Sequence, residues 1–208
     1  ALSAADVRAG LDDRHSGVRR NALRVAASLL ATDSTLGQRT IALLKDEDAH
    51  VQREAAYTLG LWKSPQAGRA LGEFLLQHAA QPYLRAAALS SAAHVADEVL
   101  LSVMAAERTA GSAALSGELI SMLGEDAREL LPLILAKITV KPQAGKEYET
   151  WKLSTAARLL AAFHNDKSLY HQLTPMLDAA RAMISNNSEL PGRRLAAIEL
   201  LAQATENP

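Results

Sequence analysis

The chain repeats itself at a fixed interval, and that echo constrains the fold more than any other feature. "LDDRHSGVRRNALRVAASLL" and "KDEDAHVQREAAYTLG" superimpose with Asp13 on Asp46, Val18 on Val51, Arg20 on Arg53 and Ala22 on Ala55, each pair 33 residues apart. A third copy, "QPYLRAAALSSAA", keeps the interval, with Leu84 under Val51 and Ala88 under Ala55. Its aspartate column fails, because position 79 is alanine. An interval in this range belongs to arrays of helical hairpins, units that cannot bury an apolar face alone and must stack.

Each copy carries its own start signal. Asp48 lies three residues before Val51, where a carboxylate can accept from the orphan N–H groups of a helix start. Asp46 adds negative charge near the positive end of the same helix dipole. Val51, Ala55, Thr58 and Leu59 then follow at helical spacing and form a stripe that must be buried. Asp13, Asp46 and Asp48 are therefore read as turn and cap residues. Asp166, in the less regular "HNDKS" turn, is expected to matter less than Asp48.

Past the third copy the repeat is legible only as alternating helical segments, which gives about six hairpins in all. Gly60, Gly111 and Gly124 are expected at helix ends, Pro65, Pro82 and Pro191 at helix starts. Pro132 and Pro175 are expected in first turns, where the missing N–H costs least. "TVKPQAGKEYET" reads as a loop inserted inside the fifth pair. Hydrophobic residues make up 49% of the 208-residue chain but aromatics only 4%, so the apolar content is mostly Ala and Leu. These are the strongest apolar helix formers, and they predict an all-α protein: an α-solenoid forming one domain over residues 1–208.

Composition also removes several chemistries. With no Cys, disulfides, thiol-anchored haem and cysteine-ligated zinc are excluded. The formal net charge of −1, from 22 basic and 23 acidic residues, gives no global attraction to nucleic acid or anionic lipid. No apolar run is long enough to span a membrane, and "ALSAADVRAG" lacks the order of a signal peptide. The first residue is not Met and lies in a helical pattern, so the chain reads as a piece of a longer protein.

No catalytic, cofactor or metal site is expected. The six His are scattered and form no HExxH pattern; His164 and His171 are separated by the "HNDKS" break. "AGKE" at 144–147 lacks the Ser or Thr and the upstream Gly of a phosphate loop. Lys137, Lys141, Lys146 and Lys152 could make the insertion a basic contact loop, but a solvated insertion is the expectation. No Ser sits in a nucleophile elbow.

"LLKDEDAHVQREAAYTLG" resembles the HEAT-repeat family of the Armadillo-type superfamily, in which an apolar run precedes D-x-D-x-x-V-R and small residues. Gln52 stands at the usual Arg position, which Arg19 and Arg85 keep in units one and three, and His15 stands where the second Asp would be. The resemblance covers about residues 2 to 93 and implies a right-handed α-α superhelix. "SGVRRNALRVA", "WKLSTAARLLAAF" and "RRLAAIELLA" are further similar to the HEAT segment of large bacterial secreted proteins. There the segment joins a sugar-dehydrogenase-like propeller to a c-type haem domain, which would imply a spacer in the periplasm or outside the cell.

Stacked hairpins leave a long concave face along their second helices, and this is the expected functional surface. Arg20 and Arg24 fall on it in unit one, Arg53 and Tyr57 in unit two. Trp151, Thr155 and Arg158 share a stripe in the fifth unit, and Arg193 and Arg194 open the last helix. Arg and aromatic residues are the usual interface anchors, so the expected occupant is a protein partner or a neighbouring domain of the same chain. The competing expectation is a HEAT-fold enzyme or nucleic-acid binder, of the DNA-glycosylase or bilin-lyase kind; it would need an aromatic, basic cleft.

Overall fold

The computed structural model describes residues 3–106, 110–123, 128–143 and 146–205. Among them every regular element is helical, as the Ala/Leu composition predicts. The chain divides into two compact units, Ala1–Ala106 and Glu107–Pro208.

The first unit holds α1 (Ala4–Leu11), α2 (Ser16–Ala26), α3 (Ser34–Ala42), α4 (Ala49–Gly60), α5 (Pro65–Gln77), α6 (Pro82–Ser91) and α7 (Ala96–Ala105). Short 3-10 turns, Leu43–Lys45 and Ala92–His94, follow α3 and α6. Consecutive helices pair as hairpins, α1 with α2, α3 with α4, and α5 with α6. The second helices form one row, α2–α4–α6, and the first helices another, α1–α3–α5–α7. This is the stack that the 33-residue interval requires.

The stripe predicted on α4 is buried throughout: Val51, Ala55, Thr58 and Leu59 are at most 3% exposed. Ala22 and Ala88, its counterparts one interval away, are buried as well. Val18 departs from its column, being 42% exposed where Val51 is sealed. The α2-facing flank of α4 is marked by the Thr58 hydroxyl, which donates to the Leu23 carbonyl at 3.2 Å. Among the described residues α2 packs against α4 alone within its row, and none of them covers its equivalent flank.

Gly60 does end a helix, but its main role is close packing. A Cβ there would lie 2.7 Å from the Ser91 carbonyl oxygen, so only glycine lets α4 and α6 approach this closely. Pro65, Pro82 and Pro191 each open a helix as expected, the position where a missing N–H is harmless.

The second unit holds α8 (Ala110–Leu123), α9 (Leu131–Ile138), α10 (Thr150–Ala162), α11 (Lys167–Ser185) and α12 (Pro191–Thr205). α10 packs between α8 and α12, while α11 lies along α12 and α9 along α10. Three expectations need correction or placement here. Gly111 lies in the first turn of α8 and ends nothing; Gly124 falls outside the described residues. Pro132 is at the start of α9 as expected, but Pro175 sits in the middle of α11, on an exposed position followed by buried Met176 and Leu177. The insertion has no regular structure at 141–143 and 146–149, and is pinned by Tyr148, only 4% exposed. Burial pushes the Tyr148 phenol pKa up.

Candidate functional site

The turns that start the second helices explain most of the conspicuous charge. Asp48 caps α4 by accepting from the His50 N–H at 2.8 Å. Its carboxyl is held below the usual carboxylate range, first by the Ser16 hydroxyl and then by the His50 N–H. Asp46 does more than bias the dipole. Its carboxylate accepts the Arg19 guanidinium in a fork, at 2.7 and 2.8 Å, and the Asp48 N–H at 2.9 Å. Arg19 is 8% exposed and also donates to the carbonyls of Asp13 and Arg14. The arginine of one unit is thus bound to the aspartate of the next, and its pKa is raised by that contact.

The gap in this ladder now has a reason. Gln52 still donates to the Asp46 carbonyl at 2.6 Å, as Arg19 does to Asp13, but it is too short to reach onward. Position 79, where its acidic partner would stand, is alanine. Both members of the second rung are therefore absent.

In the first turn the cap is His15, not Asp13. The imidazole Nδ1 accepts from the Gly17 N–H at 3.1 Å, while Asp13 accepts from the His15 N–H at 2.8 Å and shapes the turn. Asp166 caps α11 with two backbone N–H groups, of Ser168 and Leu169, each at 3.0 Å, and binds Arg128 at 2.9 Å. Arg128 in turn stacks over Phe163 at 5.1 Å. The "HNDKS" turn is therefore better made than its sequence suggests.

The proposed surface residues separate into those that stay available and those that do not. On α2 and α4, Arg24 donates to Glu54 at 3.1 Å while remaining more than half exposed. Tyr57 is 45% exposed one interval away. Arg20 and Arg53 are half-buried, and the Arg20 Nε is sealed with no hydrogen-bond partner. Among the described residues neither Arg20 nor Arg53 has an ion-pair partner. Tyr83, at the start of α6, is 80% exposed and belongs to the same row. Sequence reading passed over it, although it aligns with His50 at the same interval.

The second-unit candidates are less available. Thr155 is buried, at 1%, because α10 is covered on both flanks by α8 and α12; it belongs to the packing and not to the surface. Trp151 is half-buried, hydrogen-bonded to Glu149 and close to the Lys152 ammonium. Arg158 is exposed but its stem lies directly over Gly117 of α8. Arg193 pairs with Glu189 at 3.2 Å, and Arg194 donates to the Ile184 carbonyl of α11. Both are drawn back toward the α11–α12 turn, because the helix start offers them carboxylate and carbonyl partners there.

A depression of about 450 Å³ lies elsewhere, lined by Arg8, Asp12, Thr35, Gln38 and Arg39 of the first-helix row. Its charges satisfy one another, Arg8 with Asp33 and Arg39 with Asp12. No three His, Asp or Glu side chains converge as a metal would need, among the described residues. No helix there is long and apolar enough to cross a membrane.

No curated protein matches the chain. A solved structure, of an engineered protein from a structural genomics consortium, aligns over 97% of this chain and 96% of its own. Its identity is 12% and its TM-score 0.43, too distant to support any argument. Residues 4–93 match the family model described as HEAT repeats. That stretch contains the three aligned turns, the two rows of α1 to α6 and the Arg19–Asp46 link, and it belongs to the HEAT-repeat family.

Proposed function

We propose that the protein is a non-catalytic scaffold whose second-helix row in the first unit holds a protein partner or a neighbouring domain of the same chain. The observation behind this reading is the contrast between used and unused polar groups. Asp46, Asp48, His15 and Arg19 are consumed by caps and by the inter-repeat link. Among the described residues Arg20 and Arg53 have no hydrogen-bond or ion-pair partner, and Tyr57 on α4 and Tyr83 on α6 are exposed in the same row. Such Arg and Tyr side chains, held on rigid helices, anchor protein interfaces with little loss of side-chain freedom.

A photo-crosslinking residue placed at Tyr57 or Tyr83, in the full protein in its own cells, tests this. Discrete cross-linked products from these two sites, and none from Gln38 or Glu73 in the other row, are expected. Products from the other row alone, or from no site, would remove the scaffold reading of this face.

The finer part of the proposal is that the array is a spacer in a bacterial dehydrogenase/cytochrome-type protein. It rests on the similarity of "SGVRRNALRVA", "WKLSTAARLLAAF" and "RRLAAIELLA" to that group. The complete reading frame tests it: a propeller upstream and a CxxCH downstream are expected, and neighbours of any other kind would discard it.

A further inference from the structure

We propose that the second-helix face of the first unit binds an extended acidic peptide segment, with a carboxylate at every third residue, running across α2 and α4 toward α6. The inference deepens the scaffold reading and rests on it. Its basis is a segregation of charge between helices. α2, α4 and α6 together carry Arg19, Arg20, Arg24, Arg53 and Arg85, against Glu54 as their one carboxylate. Arg19 is spent on Asp46, and Glu54 is spent on Arg24. What remains toward solvent on α2 and α4 is cationic, so the complementary partner is an acid.

The geometry sets the spacing. Arg20 and Arg53 occupy the same position of adjacent units, and α2 packs directly on α4. Axes of packed helices lie about 10 Å apart, so equivalent side chains recur at roughly that distance. A chain in the polyproline II conformation advances about 3.1 Å per residue and returns to the same face every third residue, so three residues carry it about 9 Å, from one helix to the next. A carboxylate at every third position would therefore meet Arg20 and then Arg53. Guanidinium favours this pairing, because its planar fork binds both carboxylate oxygens.

The third step falls on α6, where the equivalent residue is Ala86 and Tyr83 stands one turn before it. Neither bears charge, so the peptide is expected to place an apolar or aromatic residue there. Arg24, already paired with Glu54, adds no free charge to the strip, and Tyr57 lies at its equivalent position on α4.

The test uses the full chain and fluorescence anisotropy with two short peptides of identical composition. One has glutamate at every third residue and ends in tyrosine; the other has its glutamates clustered. The spaced peptide is expected to bind about tenfold more tightly, with affinity falling as salt rises. Arg20→Gln and Arg53→Gln should each weaken it about tenfold without moving the melting temperature. Equal affinity for the two isomers, or full affinity in both Gln variants, would overturn the proposal. If isomers bind equally while Tyr57 still cross-links, the acidic spacing fails and the scaffold surface stands. If cross-linking is also absent, both fall.

Discussion

The Arg19 guanidinium forks the Asp46 carboxylate across two successive repeats, and the two positions where the link would recur have lost both partners together: Gln52 for the arginine, Ala79 for the aspartate. Arg19 and Asp46 are both nearly buried, so cutting the link strands a charge. Arg19→Ala is expected to cost about 3 kcal/mol, measured by urea unfolding. Restoring the second rung supplies a sharper check. Gln52→Arg combined with Ala79→Asp should be more stable than the two single effects predict, by a coupling of about 1 kcal/mol. A coupling of zero would mean that position 79 does not face position 52.

In the first unit two second helices start without a strong carboxylate cap. Gln81 at the start of α6 makes no side-chain cap bond, and His15 at the start of α2 uses a ring nitrogen. Gln81→Asp and His15→Asp copy Asp48 and should each stabilise the fold by about 1 kcal/mol. A lowered melting temperature for Gln81→Asp would contradict the alignment of 81 with 48.

Gly60 and Gly192 should respond oppositely to alanine. A Cβ at Gly60 meets the Ser91 backbone, so Gly60→Ala is expected to force α4 and α6 apart at a cost of about 2 kcal/mol. At Gly192, near the start of α12, a Cβ meets nothing within 4 Å, and Gly192→Ala should stabilise by up to about 1 kcal/mol. Thermal melts of the two variants decide the matter; equal shifts would mean α4 and α6 are not in close contact at Gly60.

Acid should loosen the protein through its caps. Asp33, Asp48 and Asp166 all have carboxyl pKa values lowered from an ordinary 3.8, by the Thr35 hydroxyl, the Ser16 hydroxyl and the Leu169 N–H respectively. A group depressed in the folded state stabilises above its unfolded pKa and loses that contribution as pH falls through the folded one. The melting temperature should hold level from neutral pH to about 5 and drop below about 4. Asp48→Asn and Asp166→Asn should each shallow the acid limb. An acid limb as steep as the parent's in both would assign it to other groups.

Arg53→Glu should leave the melting temperature within about 2 °C of the parent, because the side chain has no hydrogen-bond or ion-pair partner among the described residues. A larger drop would identify Arg53 as bracing between α4 and α6 and remove it from the proposed surface.

The interval of 33 residues, the capping aspartate Asp48 and the alanine column Ala22–Ala55–Ala88 were enough to determine hairpins, their stacking and their buried stripe. These are local or periodic properties, written in residues close together or at constant spacing. Which charged groups are spent was decided only by tertiary structure. Arg19 and Arg20 are neighbours in the chain, yet one is locked to Asp46 and the other has no ion-pair partner among the described residues, because a single residue step turns a helical side chain by about 100°. Thr155 was buried by helices on both sides of α10, and Asp166 gained Arg128 from 38 residues away. Burial of that kind depends on what the neighbouring repeat presents, and no helix encodes its neighbour's surface.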